Sequence, residues 1–272
     1  MITAGDLVRK QFKPRHELLG PWLREGALAM VYAWRGVGKT WFALGVAHAV
    51  AAGGKFLKWQ APAARRVAYF DGEMGEQELK DRILKVDEGA ASSISADGIR
   101  FHTFEHCEDE IMWNLSEPSQ QALYDEVAEG CDLIIIDNVS TCVRQRRGEG
   151  DKDSWLRVAQ WAAKKRSQKK SVLFVHHAGK AGTQRGASDR EDLLDTSIRL
   201  SRPETLVPKE GTEFELRFEK NRGFFGKDAE PLVVDLINTQ DGALSWAWAP
   251  LKERLDEEVR ERPRNTDKQM IW

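Results

Sequence analysis

The sequence predicts a mixed α/β fold, a mostly parallel sheet with helices on both faces and antiparallel strands at its C-terminal edge. Three observations predict it. Short apolar runs alternate with helix-length segments through the first two thirds of the chain, as a parallel sheet covered on both faces requires. One run turns through a Gly-rich, Lys-containing loop straight into a long apolar helix, the order of a strand–loop–helix phosphate-binding unit. Beyond residue 196 the runs follow one another without long helices, which leaves antiparallel pairing to join them.

The 272 residues suit one large domain, or one domain with an appendage. Residues 1–20 read as an N-terminal arm, 21–250 as the domain, and 251–272 as a charge-dense segment that starts as a surface helix over 251–264. Strands are predicted at 27–32, 67–71, 99–104, 133–137 and 171–176, each apolar enough to be central. Helices are predicted at 39–52, at 77–86, at 119–129 behind Pro118, and at 153–168, where Trp155, Leu156, Ala159 and Ala162 keep helical spacing. The late strands fall at 196–200, 213–219, 232–237 and 244–248. Lys164, Lys165, Arg166, Lys169 and Lys170 read as a solvated helix end favoured by the dipole. Most of the 10 tryptophans are expected in the core.

Composition excludes several classes. With 41% apolar and 31% charged residues the chain is neither collagen-like, mucin-like nor mostly disordered. Lys and Arg total 41 against 43 Asp and Glu, so no basic field announces nucleic acid and any such contact must come from local patches. Cys107, Cys131 and Cys142 are odd in number and form no CxxC pair, and the N-terminus has no apolar signal core; together these point to a reducing cytoplasm without a disulfide framework. The most apolar stretch, 41–54, is too short for a membrane span and contains His48, so no membrane partner is expected.

The strongest chemical signal is Ala33, Trp34, Arg35, Gly36, Val37, Gly38, Lys39, Thr40, followed by Trp41. Glycines at 36 and 38 let backbone N–H groups converge on phosphate oxygens at a helix N-terminus, Lys39 neutralises the β- and γ-phosphates, and Thr40 offers a hydroxyl to Mg²⁺. Ala33 stands where the GxxxxGK[ST] pattern has its first glycine. The apolar run LIIID ends in Asp137, which in a parallel sheet faces the same crevice and suits Mg²⁺. Together these imply ATP or GTP. The run VAYFDGEM leads out into Glu73, a carboxylate able to orient and deprotonate an attacking water, with Asp71 as its rival.

His176 and His177 end a further strand; alternation sends them to opposite sides, so they do not share a metal, and one can contact a γ-phosphate. Arg144, Arg146 and Arg147 follow the Asp137 strand, and Lys180 and Arg185 follow His177. Loops leaving that end of the sheet can line a nucleic-acid groove or simply be solvated. Lys220 and Arg222, far along the chain from the phosphate loop, are either a solvated β-turn or groups that reach a neighbouring subunit's nucleotide.

Five segments in this order resemble RecA-fold P-loop ATPases, AAA-type enzymes of the DnaB-like replicative helicase group, and in particular the compact plasmid RepA-type helicases. The likeness covers residues 18–236. AWRGVGKTWFAL looks like the helicase phosphate loop, in which Ala at the first position is familiar. YFDGEMGEQEL resembles the strand that supplies the catalytic Glu, on Glu73; LIIIDNVS the Mg²⁺-carboxylate strand, on Asp137; VLFVHHAGK the sensor strand, on His177, with the paired histidines of the RepA-type branch. EKNRGFFG is similar to the segment that delivers a Lys and an arginine finger in trans, on Lys220 and Arg222, while DTSIRL makes Arg199 a rival finger.

The resemblance implies a Mg²⁺-dependent ATPase that forms a hexameric ring with single-stranded DNA in its channel. It would serve replication of a plasmid, phage or other mobile element, with a primase or initiator protein as partner. The sequence has no counterpart of the N-terminal primase-binding domain of the larger helicases, and its net charge is slightly acidic. Two other classes stand beside this one: a recombinase-like switch in which ATP drives assembly without unwinding, and a small-molecule kinase, for which no Arg-rich lid or acceptor pocket is evident.

Overall fold

Runs such as LAMVYA, LIIID and SVLFVHH leave almost no residue to show to water, and the chain buries them as strands with helices on either side. The computed structural model describes residues 1–145, 151–178, 192–203, 212–239 and 242–261. In chain order the strands are β1 (Glu17–Leu19), β2 (Leu23–Arg24), β3 (Leu28–Ala33), β4 (Lys55–Phe56), β5 (Trp59–Gln60), β6 (Val67–Asp71), β7 (Ile99–Thr103), β8 (Leu133–Asp137), β9 (Ser171–His177), β10 (Thr196–Ser201), β11 (Thr212–Asn221), β12 (Leu232–Asn238) and β13 (Leu244–Pro250). The helices are α1 (Ala4–Arg9), α2 (Lys39–Ala52), α3 (Glu76–Glu88), α4 (Pro118–Val127), α5 (Val139–Cys142), α6 (Asp151–Ser167) and α7 (Leu251–Glu261).

Nine strands form one sheet in the order β13-β12-β11-β10-β3-β9-β8-β6-β7. From β10 to β7 all neighbours are parallel, and β10 to β13 pair antiparallel, as the change in chain pattern after residue 196 predicts. Alternation along β3 divides the core. Ala29 and Val31 pack with α2 and α3, whereas Leu28 and Met30 pack with Tyr124 of α4 and with Trp155, Val158 and Trp161 of α6.

Helix α2 is enclosed on all sides. The β1–β2 and β4–β5 hairpins and the curled antiparallel strands complete a shell around it, so it needs no polar face. Phe42 meets Phe56 at 5.3 Å and Trp59 at 6.3 Å, both edge-on, and Phe56 in turn meets Trp246 at 5.0 Å. A side chain at Gly45 would run into the ring of Phe56, which explains a glycine in mid-helix.

Three local expectations need correction. The basic helix end is not wholly solvated: Lys165 is 3% exposed, because its ammonium pairs with Asp125 at 2.5 Å and lies over Trp161, and Arg166 is tied to Asp195 at 2.7 Å. The β7 run stops at Thr103, because Phe104 begins a short 3₁₀ turn. The N-terminal arm is exposed only through residue 16; Leu18 and Leu19 belong to the core. Helix α7 docks Leu251 against the sheet and ties Arg254 to Glu213 at 3.5 Å.

Because Phe42 is fully buried beneath two other rings, Phe42→Ala should cost about 3–5 kcal/mol. A fall in the urea midpoint at unchanged slope is the expected reading.

Candidate nucleotide site

The parallel strands end in register, and this brings distant residues to one level. Asp71 of β6 pairs with Asp137 of β8, and Ala33 of β3 pairs with His177 of β9. The N-terminus of α2 sits over the same level, since β3 passes into it through residues 34–38. Ala33 is the last, buried residue of β3 and its φ is not positive, so a Cβ is accepted there. Gly36 (φ 74°) and Gly38 (φ 111°) do occupy the left-handed region, and a Cβ on Gly38 would also press on Thr212 at 3.0 Å.

Around this loop lies an open cavity of about 640 Å³ lined by Lys39, Thr40, Glu73, Asp137, Asn138 and His177 among others. Lys39 is almost fully buried and donates from Nζ to the carbonyls of Ala33 (3.2 Å) and Trp34 (3.1 Å). Burial lowers its pKa, opposed by the carboxylates of Asp137 and Glu73. Asp137 accepts from Tyr69 Oη at 2.7 Å and from the Thr40 hydroxyl, while burial raises its pKa. The phenol of Tyr69 is held well above its ordinary pKa by the same burial, so it remains a donor.

Glu73 accepts from His177 Nε2 at 3.1 Å and from the Asn138 amide; the two donors stand 3.2 Å apart around it. The His177 hydrogen bond is the main reason its carboxyl is pulled down to about 2 against a usual 4.5. Asp71 behaves oppositely. Burial, then the adjacent Asp137 charge, push it up to about 7 although its Oδ1 accepts from the backbone amides of Glu73 (2.9 Å) and Met74 (2.8 Å).

The remaining sequence-predicted residues are distributed as follows. Trp34 and Arg35 are exposed on the loop, Val37 is buried beneath it, and Trp41 lines the cavity under the guanidinium of Arg82, 4.9 Å from its ring. His176 points to the opposite face from His177 and is buried. Arg144 is half-buried, its guanidinium bound to the carbonyls of Met112 (2.6 Å) and Thr141 (3.0 Å). Arg146, Arg147, Lys180 and Arg185 lie outside the described residues.

Arg199, in mid-β10, pairs with Glu219 at 3.4 Å. Arg222 approaches Asp195 at 3.9 Å and Lys220 donates to the Asp192 carbonyl at 3.4 Å. These last two sit at the start of β10, one strand length (roughly 20 Å) from the phosphate-loop end of the sheet. They are not brought to their own chain's cavity.

Four neighbours of the site went unassigned in the sequence. Asn138 caps α5 and donates to Glu73; its place directly after Asp137 was the available signal. Glu78 and Arg82 face the cavity at helical spacing on α3 and bind each other. Arg202, just beyond β10, brings its Nη2 within 3.7 Å of where a Gly36 Cβ would stand. Among the described residues no cluster of three or more His, Cys, Asp or Glu side chains is arranged to hold a metal by itself. A cation here would therefore need phosphate oxygens beside Asp137 and Thr40.

A family model described as "AAA domain" matches residues 2–183. No curated protein matches the chain. Among solved structures, the flagellar accessory protein FlaH from Methanocaldococcus jannaschii is similar over 82% of this chain and 90% of its own, with TM-score 0.56 and 10% identity. At that identity the likeness speaks for the fold, an α/β sheet of RecA-like type. Among the described residues no helix is long and apolar enough to cross a membrane, and the three cysteines are free and buried.

Because the folded pKa of Glu73 lies below the unfolded one, its ionisation stabilises the chain above about 4.5, and this is lost as pH falls toward 2. His177→Ala should return the Glu73 carboxyl toward its usual range, read by carboxyl-carbon NMR titration, and weaken this acid-side loss.

Proposed function

The chain belongs to the AAA domain family, and from that premise we propose that it is a Mg²⁺-dependent ATPase acting as an oligomeric, hexameric DNA helicase or single-strand translocase in replication of a mobile element. Family membership and the RecA-like fold support the ATP hydrolase part. The observation that carries the reading is the meeting of Lys39, Thr40, Asp137 and Glu73, from three separate strand ends, around one open cavity. The finer part, DNA and ring, rests on the sequence resemblance and on the position of Lys220 and Arg222.

In this mechanism the backbone of residues 33–40 and Lys39 bind the phosphates, Lys39 exchanging its two loop carbonyls for phosphate oxygens. Thr40 and Asp137 would hold Mg²⁺, which when bound neutralises charge developing on the phosphates. Tyr69 keeps Asp137 in place by its hydrogen bond. Glu73 orients the attacking water. With its carboxyl at about 2 it is ionised but a poor proton acceptor while His177 and Asn138 hold it. When His177 turns to the γ-phosphate, Glu73 loses its main donor and becomes a better base, so proton acceptance is matched to the presence of substrate. Arg222, with Lys220, acts on the site of the adjacent subunit, and Arg199 is the alternative finger.

A second reading is a nucleotide-driven assembly switch without unwinding. It is favoured by Arg144, which spends its guanidinium inside the fold. Rings against filaments in electron micrographs separate the two.

Lys39→Ala should abolish turnover, measured as Mg²⁺-ATP hydrolysis against protein concentration with and without single-stranded DNA. Arg222→Ala should spare ATP binding and lower turnover by about 10³-fold or more, the share of a transition-state arginine. Mixing it with Glu73→Ala protein should restore part of the activity, whereas unchanged turnover in Arg222→Ala alone shifts the role to Arg199. Turnover independent of protein concentration and of DNA would overturn the helicase reading and leave the ATPase one standing.

A further inference from the structure

Asp71 is a buried carboxylate for which the mechanism above has no use. It is 1% exposed, its Oδ1 holds the amides of Glu73 and Met74, and its Oδ2 is buried with no hydrogen-bond partner. A buried carboxyl oxygen left unbonded is costly, on the order of 1–3 kcal/mol. Its neighbourhood aggravates the cost. Direct pairing of Asp71 with Asp137 on adjacent parallel strands projects both carboxylates from the same face, with backbones about 5 Å apart. Asp137 already has donors from Tyr69 and Thr40; Asp71 Oδ2 has none.

The turn is also fixed from other sides. Gly72 N–H donates to the Asp137 carbonyl at 2.8 Å, and a Cβ on Gly72 would strike Thr141. Asp71 therefore cannot swing outward to water without dragging the end of β6 away from β8. What would relieve Oδ2 is a donor arriving next to Asp137, and the water shell of a divalent cation held there supplies such donors.

We propose that Asp71 is a positioning residue of this site: Oδ1 fixes the turn that carries Glu73, and Oδ2 accepts hydrogen bonds from the water shell of the cation that enters with the nucleotide. The inference rests on the ATPase reading above. It makes one carboxylate link the water-orienting group to the metal position, so that cation binding tightens the turn bearing Glu73.

Asp71→Asn separates the two tasks, since its Oδ1 still accepts from the turn while an amide replaces Oδ2. Calorimetric binding of a non-hydrolysable ATP analogue to the full chain, in EDTA and in Mn²⁺, is the measurement. Affinity in EDTA should match wild type within about twofold, because Lys39 and the phosphate loop are intact. The tightening produced by Mn²⁺ should shrink at least tenfold, about the worth of one hydrogen bond to a charged group. In hydrolysis assays the same variant should need more Mg²⁺ for half-maximal rate yet approach wild-type kcat at saturating Mg²⁺; a purely structural role would lower kcat and leave the Mg²⁺ requirement alone. Asp71→Ser, whose hydroxyl can serve the turn, repeats the test if Asp71→Asn melts early.

Wild-type tightening by Mn²⁺ that persists unchanged in Asp71→Asn overturns this inference and spares the ATPase reading. Wild-type protein that binds the analogue equally in EDTA and Mn²⁺ overturns the metal part of both.

Discussion

Parallel strands that stop at a common level are the constraint on which the site depends. Glu73, Asp137 and His177 are separated by dozens of residues, and none interacts with another until β6, β8 and β9 are laid side by side in register. A shift by one residue in any of these ladders would turn its functional side chain to the opposite face. Ile134 and Ile136 point to one layer of helices and Leu133 and Ile135 to the other, so β8 is apolar on both faces, and a slip would be felt at its end, where Asp137 would leave Tyr69 and Thr40.

Charges around the cavity satisfy one another. Lys39 is folded onto its own loop, Glu73 is held by His177 and Asn138, and Asp137 by Tyr69 and Thr40. The bonds of Lys39 to its loop, of His177 to Glu73 and of Thr40 to Asp137 are ones that a triphosphate and its cation can replace with stronger, charge-assisted ones, while Tyr69 stays to hold Asp137. Buried groups that keep temporary partners cost the fold less than bare ones, and they are already oriented when the replacement comes. Among the carboxylate oxygens at the site, Asp71 Oδ2 is buried without a partner, as is the ring nitrogen Nδ1 of His177.

Most of the framework was legible in the sequence because parallel strands covered on both faces write themselves as unbroken apolar runs, and because a Gly-rich turn between such a run and a helix has few other uses. The phosphate loop, Glu73, Asp137 and His177 could be picked out for the same reason: each follows directly on a run. Asn138 and Arg82 could not, since nothing in their local pattern separates them from an ordinary helix cap and an ordinary surface arginine; they matter only through neighbours supplied by other segments. Lys165 shows the same limit from the other side. Five basic residues near a helix end look solvated until α4 supplies Asp125 and α6 itself supplies Trp161. The distance of Lys220 and Arg222 from their own cavity follows from the direction of β11, which runs down the sheet from Thr212, beside the phosphate loop, to Asn221.

The enclosure of α2 has a mechanical meaning. A helix packed on every side by aromatic rings, two hairpins and the antiparallel strands has little room to shift, and the phosphate loop is joined to its end. Around it, the turn at 72–74 and the end of β9 at 177–178 are joined to neighbouring strand ends by the amides of Gly72 and Ala178, which donate to the carbonyls of Asp137 and Ala33. The phosphate loop thus stands on the enclosed helix, while Glu73, Asp137 and His177 reach it from the strand tips beside it.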